Sequence, residues 1–261
     1  MELSGKNIIY LGGFGGIGQQ CLRVFLEKGI KNLVICDLSD NVTLMQELQT
    51  AFPSSNLSFI KLDITNTQNI QDAYKEAANK IGHFDVVVNG CGIMDDRRIE
   101  LTIQINLLGV IHSTLTAMNY MDKSNGGQGG LIVNISSVAG LTPTGLFAVY
   151  SAAKHGVTAF TRSLGTNPMY YARTGIDFIT ICPGFTDTTL LDMPHSKATF
   201  EYAAPIVERF NLAKRQTAAE CAKNLVKAVE IAKNGSVWLL DLGELTEVEM
   251  PTLWKATLTT T

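Results

Sequence analysis

The chain has 261 residues, of which 46% are hydrophobic and 17% charged, with a formal net charge of -3. That much apolar material can bury a sheet between helices and excludes a disordered or fibrous chain, and the length leaves no room for a large second domain, so a single domain over 1–261 is expected. An acidic balance without basic clusters interleaved with aromatics excludes a nucleic-acid partner.

Met1-Glu2-Leu3-Ser4-Gly5-Lys6 places charge where a secretory leader needs an apolar run, and no uninterrupted apolar stretch is long enough for a membrane span, so a cytoplasmic protein is expected. Cys21, Cys36, Cys91, Cys182 and Cys221 are scattered without C-x-x-C spacing and read as reduced core thiols. His83, His112, His155 and His195 lack metal-ligand spacing, so no metal is expected.

Short β-branched runs alternate with longer helical stretches: Asn7–Leu11, Asn32–Cys36, Leu57–Lys61, Val86–Asn89, Leu131–Ile135, Ile176–Ile181 and Val237–Leu240. Their continuously apolar character predicts a Rossmann-like, doubly wound α/β fold: a seven-stranded parallel sheet with helices on both faces and right-handed crossovers.

After the first run comes Leu11-Gly12-Gly13-Phe14-Gly15-Gly16-Ile17-Gly18, then a helical pattern through Lys28. Glycines at a strand–helix turn let the backbone approach a pyrophosphate, and the unpaired N–H groups and dipole of the helix start attract its charge. A tight turn without a ligand is the ordinary alternative. Asp37 ends the second run, 19 positions after Gly18, where an acid binds ribose hydroxyls and repels a 2′-phosphate. With no Arg or Lys nearby to hold that phosphate, NAD is expected over NADP. Asp63-Ile64 and Asn89-Gly90-Cys91-Gly92 end at the same sheet edge. Gly126-Gly127-Gln128-Gly129-Gly130 precedes a strand instead of a helix and reads as a flexible connection.

Tyr150 and Lys154 are one helical turn apart and share a face. An ammonium and a nicotinamide cation would both favour the phenolate, so Tyr150 is expected to accept the alcohol proton. Ser137, at the carboxyl end of the fifth run, faces the same crevice and can polarise the substrate oxygen, and Asn106 lies in the preceding helix. Each has an ordinary alternative: Ser137 as a turn or cap, Asn106 as a helix kink, Tyr150 as packing, Lys154 as a solvated charge. From 185 to 215 the alternation becomes irregular, with Pro194, Pro205 and apolar Leu190, Leu191, Met193, Phe200, Ile206 and Phe210; a lid over the pocket is expected there.

These elements, in this order, resemble the short-chain dehydrogenase/reductase family, with its Thr-Gly-x-x-x-Gly-x-Gly, Asn-Asn-Ala-Gly, Ser, Tyr-x-x-x-Lys and Pro-Gly motifs, over nearly the whole chain. The resemblance implies dinucleotide glycines at Gly12, Gly16 and Gly18, a ribose acid at Asp37, adenine contacts at Asp63 and Ile64, and a strand-stabilising asparagine at Asn89. Pro183-Gly184 and Thr186 match the nicotinamide segment, and Asn106, Ser137, Tyr150 and Lys154 the catalytic tetrad, in which the asparagine holds a water continuing a proton path from the lysine. Gly15, Ile17, Gly90, Cys91 and Gly92 complete the expected cofactor contacts, together with Tyr150 and Lys154 themselves.

Gly92-Ile93-Met94-Asp95-Asp96, Ile99-Glu100-x-Thr102-Ile103 and Gly235-Ser236-Val237-Trp238-Leu239-Leu240-Asp241-Leu242-Gly243 look like the insect, dipteran-type alcohol dehydrogenase branch, which also includes insect retinol-type dehydrogenases and fat-body proteins. Leu11 departs from the usual threonine, and Gly90-Cys91 from Asn-Ala, which predicts altered packing with the cofactor. The resemblance further implies a homodimer or homotetramer built on the helices of Asn106 and Tyr150. The expected reaction is NAD-dependent interconversion of an apolar alcohol and its carbonyl compound. A small secondary alcohol and a larger one such as a retinoid both remain open, and a nucleotide-binding or storage protein is the alternative of another class. The tail, 245–261, with Met250, Leu253 and Trp254, is expected to cross a dimer interface, close the pocket or dock on the surface.

Overall fold

Strands rich in Val, Ile and Leu can bury both faces, and Asn7–Leu11 (β1) and Val86–Asn89 (β4) are buried at every residue. The structure, a computed structural model, describes residues 1–192 and 197–251. Met193, Pro194, His195, Leu253 and Trp254, and the tail beyond 251, lie outside the described residues. The chain continues from β1 through helix Gly16–Glu27 (α1), strand Asn32–Asp37 (β2), helix Val42–Ala51 (α2), strand Asn56–Lys61 (β3) and helix Thr67–Ile81 (α3) to β4. Then come Ile99–Ile103 (α4), a π-turn at Gln104–Leu108, Gly109–Met121 (α5), strand Gly130–Ile135 (β5), helices Ala148–Gly165 (α6) and Pro168–Thr174 (α7), and strand Ile176–Pro183 (β6). The last part holds Thr186–Asp187 (β7), Ala204–Asn211 (α8), Gln216–Thr217 (β8), Ala218–Glu230 (α9), Val237–Asp241 (β9) and Glu244–Glu247 (β10).

The main sheet has eight strands in the order β10-β9-β6-β5-β4-β1-β2-β3, one more than the seven expected. All seven expected strands are present and parallel; the eighth, β10, runs antiparallel to β9 at the edge. Leu242 (φ 48°) and Gly243 (φ 80°) join the two, which is the backbone a two-residue hairpin turn needs. A leucine at positive φ disguises that turn in the sequence, and the exposed Glu-Leu-Thr-Glu strand has no apolar run to announce it.

Leu22 and Phe25 of α1 and Leu225 and Val229 of α9 fill one face of the sheet. Tyr74 of α3, Ala117 of α5 and Leu164 of α6 pack on the other. The register pairs Leu11 with both Cys36 and Asn89, and Asn89 with Asn134, so four strands finish at one edge. The turns after β1, β4, β5 and β6 open into one crevice there.

From Ile99 to Met121 the chain is continuously helical over 23 residues, with an 18-residue window of mean hydropathy 1.3, which by length and composition alone can cross a membrane. Glu100, Gln104, Asn106 and His112 interrupt the apolar run, as expected of a chain without an uninterrupted apolar stretch of that length, but they do not end the helix. In the fold this helix packs against α3 and α6 and contributes Ala117 and Met121 to the core.

The glycine run at 126–130 is a tight entry to β5 instead of a flexible connection. Gly129 (φ 74°) backs onto the Gly175 carbonyl so closely that no side chain fits between them.

Across the sheet runs a buried polar chain. The Asn89 amide donates to Asn134 Oδ1 at 2.7 Å and to Thr114 Oγ1 at 3.2 Å, Asn89 Oδ1 accepts from Ser113, and Asn134 donates to Thr161 at 2.9 Å. These bonds tie β4 and β5 to α5 and α6, which fits the strand-stabilising role expected for Asn89. Asn89→Ala leaves several of these groups unpaired and is expected to cost about 2–4 kcal/mol, measured by urea unfolding.

Candidate active site

A cleft of about 510 Å³ opens at the carboxyl edge of the sheet, between the turn after β1 and the segment after β6. At its floor, Gly12 (φ 78°) lies against the strand-β4 loop, where a Cβ would meet Cys91 N at 2.7 Å. Gly18 packs on the same turn, with a Cβ 2.5 Å from the Gly12 carbonyl oxygen. The backbone therefore bends tightly into α1, whose first-turn N–H groups have no side-chain cap and face the cleft beside Gly15, Gly16 and Ile17. Thr188 covers this turn from the opposite wall, its Cγ2 within 2.6 Å of where a Gly16 side chain would start.

Asp37 stands behind the turn. Its carboxylate accepts from Phe14 N at 2.9 Å and from Leu38 N at 2.8 Å, a half-buried negative charge fixed to the glycine loop. Asp63 accepts from the backbone and hydroxyl of Thr65, and Ile64 packs in the core against Gly109. Asp37, Asp63, Ile64, Asn89, Cys91 and Asn106 do not line the cleft itself.

Gly90, Gly92, Pro183, Gly184 and Thr186 do line it. Gly90 answers a departure noted in the sequence: a Cβ there would lie 2.9 Å from the Tyr10 ring and 3.0 Å from the Leu11 carbonyl oxygen. A side chain at this position would therefore crowd Tyr10. Thr186 is held by its hydroxyl, which donates to Gly184 O at 3.0 Å and accepts from Gln216 at 3.1 Å.

Ser137, Tyr150 and Lys154 line the same cleft as the glycine turn. Ser137 leaves β5 and caps a short 3-10 turn, its Oγ accepting from Ala139 N at 3.1 Å. Ser136, next to it, donates to Lys154 O at 2.8 Å and bonds Thr158 at 2.8 Å, which locks the serine loop to α6. Lys154 is 3% exposed, and its Nζ donates to Ile135 O at 2.9 Å and stands 5.7 Å from the Tyr150 ring centroid. Burial lowers the amine's pKa to about 8, while burial pushes Tyr150 up to about 12 against the opposing hydrogen bond from Ser137. The ammonium's acidifying pull on the phenol, expected from the sequence, is outweighed in the protein alone by desolvation of both groups.

Asn106 sits in the π-turn, fully buried. Its amide donates to Ile93 O at 2.7 Å and Thr102 O at 2.9 Å, and its Oδ1 accepts from Ile93 N at 3.3 Å. Both amide hydrogens are committed to the backbone. A Cβ on Gly92 would lie 3.0 Å from Asn106 Oδ1 and 3.7 Å from Lys154 Nζ, so the asparagine and the lysine converge on one glycine.

Beyond Tyr150 the cleft becomes apolar, with Met94, Phe147, Phe185, Leu190, Leu191 and Phe210. Phe210 packs edge-on against Phe185 at 4.6 Å. Phe200 and Ile206, named among the apolar residues of the expected lid segment, are 53% and 47% exposed. Polar neighbours missed in the sequence are Ser136, Thr144, Thr188, Arg98 and Lys197, none of which falls in a motif. Asp96, noted only within a branch resemblance, lies at the start of α6.

An amine buried in this way resists protonation, so its charge destabilises the folded chain fully below about pH 8 and less as pH rises toward the unfolded value of 10.5. Lys154→Met is therefore expected to melt higher than the wild type at neutral pH without ligand, with the advantage shrinking above pH 8. Thermal denaturation at a series of pH values checks this.

The model of the family described as short chain dehydrogenase matches residues 6–198. The chain is 40% identical over 254 residues to Fat body protein 2 of Drosophila melanogaster, covering 97% of this chain and 99% of that protein. It is 40% identical over 257 residues to Alcohol dehydrogenase 1 of Ceratitis capitata, covering 98% and 100%. A short chain dehydrogenase/reductase of Burkholderia phymatum, solved in complex with NAD, superposes with a TM-score of 0.78 at 22% identity, covering 92% of this chain and 90% of that one. A glycine turn, a buried lysine under a tyrosine, and relatives matching end to end lead to one conclusion: the chain is an oxidoreductase-type member of the short-chain dehydrogenase family, in its dipteran alcohol dehydrogenase branch.

Proposed function

We propose that this protein is an NAD-dependent alcohol dehydrogenase acting on an apolar alcohol, with Tyr150 as the proton-transferring group. The observation that carries the reading is that Ser137, Tyr150 and Lys154 line one cleft together with the glycine turn. The open N–H groups of α1 suit a pyrophosphate, and the fixed charge of Asp37 beside the turn suits free ribose hydroxyls and repels a 2′-phosphate. NAD, when bound, supplies the hydride acceptor.

Ser137 Oγ is the group proposed to hold the substrate oxygen, since it lines the same cleft as Tyr150. Tyr150 Oη then takes the alcohol proton in oxidation and returns it to the carbonyl oxygen in reduction. Its raised pKa makes it a ready donor in the reductive direction, and oxidation requires the phenolate. Lys154, in its charged form, stabilises that phenolate, and Ile135 O fixes where its amine stands. Asn106 positions the loop at Ile93 and thereby the wall facing Lys154. The apolar lining beyond the phenol selects hydrocarbon substituents, and both a small secondary alcohol and a longer apolar one fit its chemistry.

Tyr150→Phe is expected to lower turnover by at least about a hundredfold while leaving NADH affinity nearly intact. NADH absorbance over a panel of alcohols gives turnover, and fluorescence titration gives affinity. Near-normal turnover in Tyr150→Phe would refute the proton assignment. NAD binding without turnover on any alcohol would favour a nucleotide-binding protein instead. Asp37→Ser is expected to narrow the preference for NAD over NADP by about tenfold or more, read as the ratio of kcat/KM with the two cofactors.

A further inference from the structure

The helix that carries Tyr150 and Lys154 has no cap of its own. Phe147, at its N-cap position, offers no side-chain acceptor, so the N–H groups of Ala148, Val149 and Tyr150 must find partners elsewhere. They find them across the cleft. Asp96, 3% exposed, accepts from Val149 N through Oδ2 at 2.8 Å and from Tyr150 N through Oδ1 at 3.0 Å. Ala148 N donates to Thr199 Oγ1 at 2.9 Å, and the Thr199 hydroxyl in turn donates to Asp96 Oδ2 at 2.6 Å.

Each partner is itself anchored. The Asp96 N–H donates to Lys197 O at 2.9 Å, and Thr199 N to Leu146 O at 3.1 Å. On the other side, Thr102 Oγ1 donates to Asp95 O at 2.6 Å and Asn106 holds Ile93. One carboxylate thus joins three pieces of chain: the loop after β4, the first turn of α6, and the segment at 197–199. Lys197, Met94, Phe147 and Tyr150 from these pieces all line the cleft. A helix start favours a negative charge, and a buried carboxylate needs every lone pair engaged, so this geometry is stable only as a set.

We propose that Asp96 is a positioning residue for the reaction, its carboxylate holding Tyr150 by the backbone and, through Thr199, setting the substrate wall relative to the phenol. The proposal deepens the dehydrogenase reading and rests on it for the kinetic part of its test. A simple cap would stabilise α6 only. A positioning group makes substrate affinity depend on a hydroxyl, that of Thr199, which touches neither the glycine turn nor the catalytic side chains.

The test uses Asp96→Asn, Thr199→Val and Thr199→Ser in the full chain. Asp96→Asn swaps one acceptor oxygen for a donor facing a helix N–H and is expected to lower kcat by about tenfold to a hundredfold. Thr199→Val keeps both bonds from Asp96 to α6 and is expected to raise KM for the best alcohol by about tenfold, with kcat within about threefold and NADH affinity within about twofold of wild type. Thr199→Ser, which keeps the hydroxyl, is expected to restore KM. Hydrogen exchange should quicken at 148–150 in Asp96→Asn, and at 148 and 197–199 in Thr199→Val.

Kinetic constants within about twofold of wild type in a folded Thr199→Val, or an unrescued KM in Thr199→Ser, would overturn the proposal. Unchanged exchange at those amides would overturn it as well. Should Asp96→Asn not fold, the two threonine variants decide. If the wild type turns over no alcohol, the dehydrogenase reading fails on its own, and the exchange data alone decide whether the three segments are held by this carboxylate.

Discussion

The site depends on one buried amine. Among the described residues Lys154 has no acidic partner in contact; its nitrogen rests on the Ile135 carbonyl oxygen at 2.9 Å, beside the Tyr150 ring. A cation kept there costs desolvation, which is why its pKa falls to about 8. The rest of the site is arranged so that this amine stays where it is: Ser136 bonds to the Lys154 carbonyl, Asn106 closes the loop beside it, and Asp96 holds the start of its helix. Stability is given up at one residue and recovered through the hydrogen bonds around it.

Those bonds share a design. Polar side chains inside this protein join elements that are distant in sequence, and they do so at the level where the strands end. Asn89 and Asn134 stand in register on adjacent strands and tie the sheet to α5 and α6. Buried and satisfied, such groups specify a single arrangement where a purely apolar interior would tolerate several. A crevice that must hold two reacting molecules in one geometry needs that uniqueness more than it needs additional stability.

Much of this was legible beforehand. All seven predicted strands are present, because continuous apolar runs can only be strands covered on both sides, and the glycine turn, Ser137, Tyr150 and Lys154 stand on one cleft because strand ends of a doubly wound sheet share an edge. The eighth strand was hidden by Leu242 at a positive φ. That Phe200 and Ile206 are exposed while Phe210 lines the cleft was not legible, because an irregular segment has no periodicity from which to read a face. Asp63 and Ile64 belong to the right sheet edge yet turn to Thr65 and to Gly109, since a position in a motif does not say which neighbour wins a side chain.

What the sequence by itself determined is therefore the fold, the family and the residues that line the candidate cleft, all of which follow from local patterns: apolar runs, glycines at a strand–helix turn, and two side chains one helical turn apart. Tertiary structure alone decided the acidity of Tyr150 and Lys154, the commitment of both Asn106 amide hydrogens, and the role of Asp96, which caps a helix beginning more than fifty residues later. The physical reason is that desolvation and hydrogen bonding depend on which atoms surround a group in space, and those atoms come from segments that no local reading brings together.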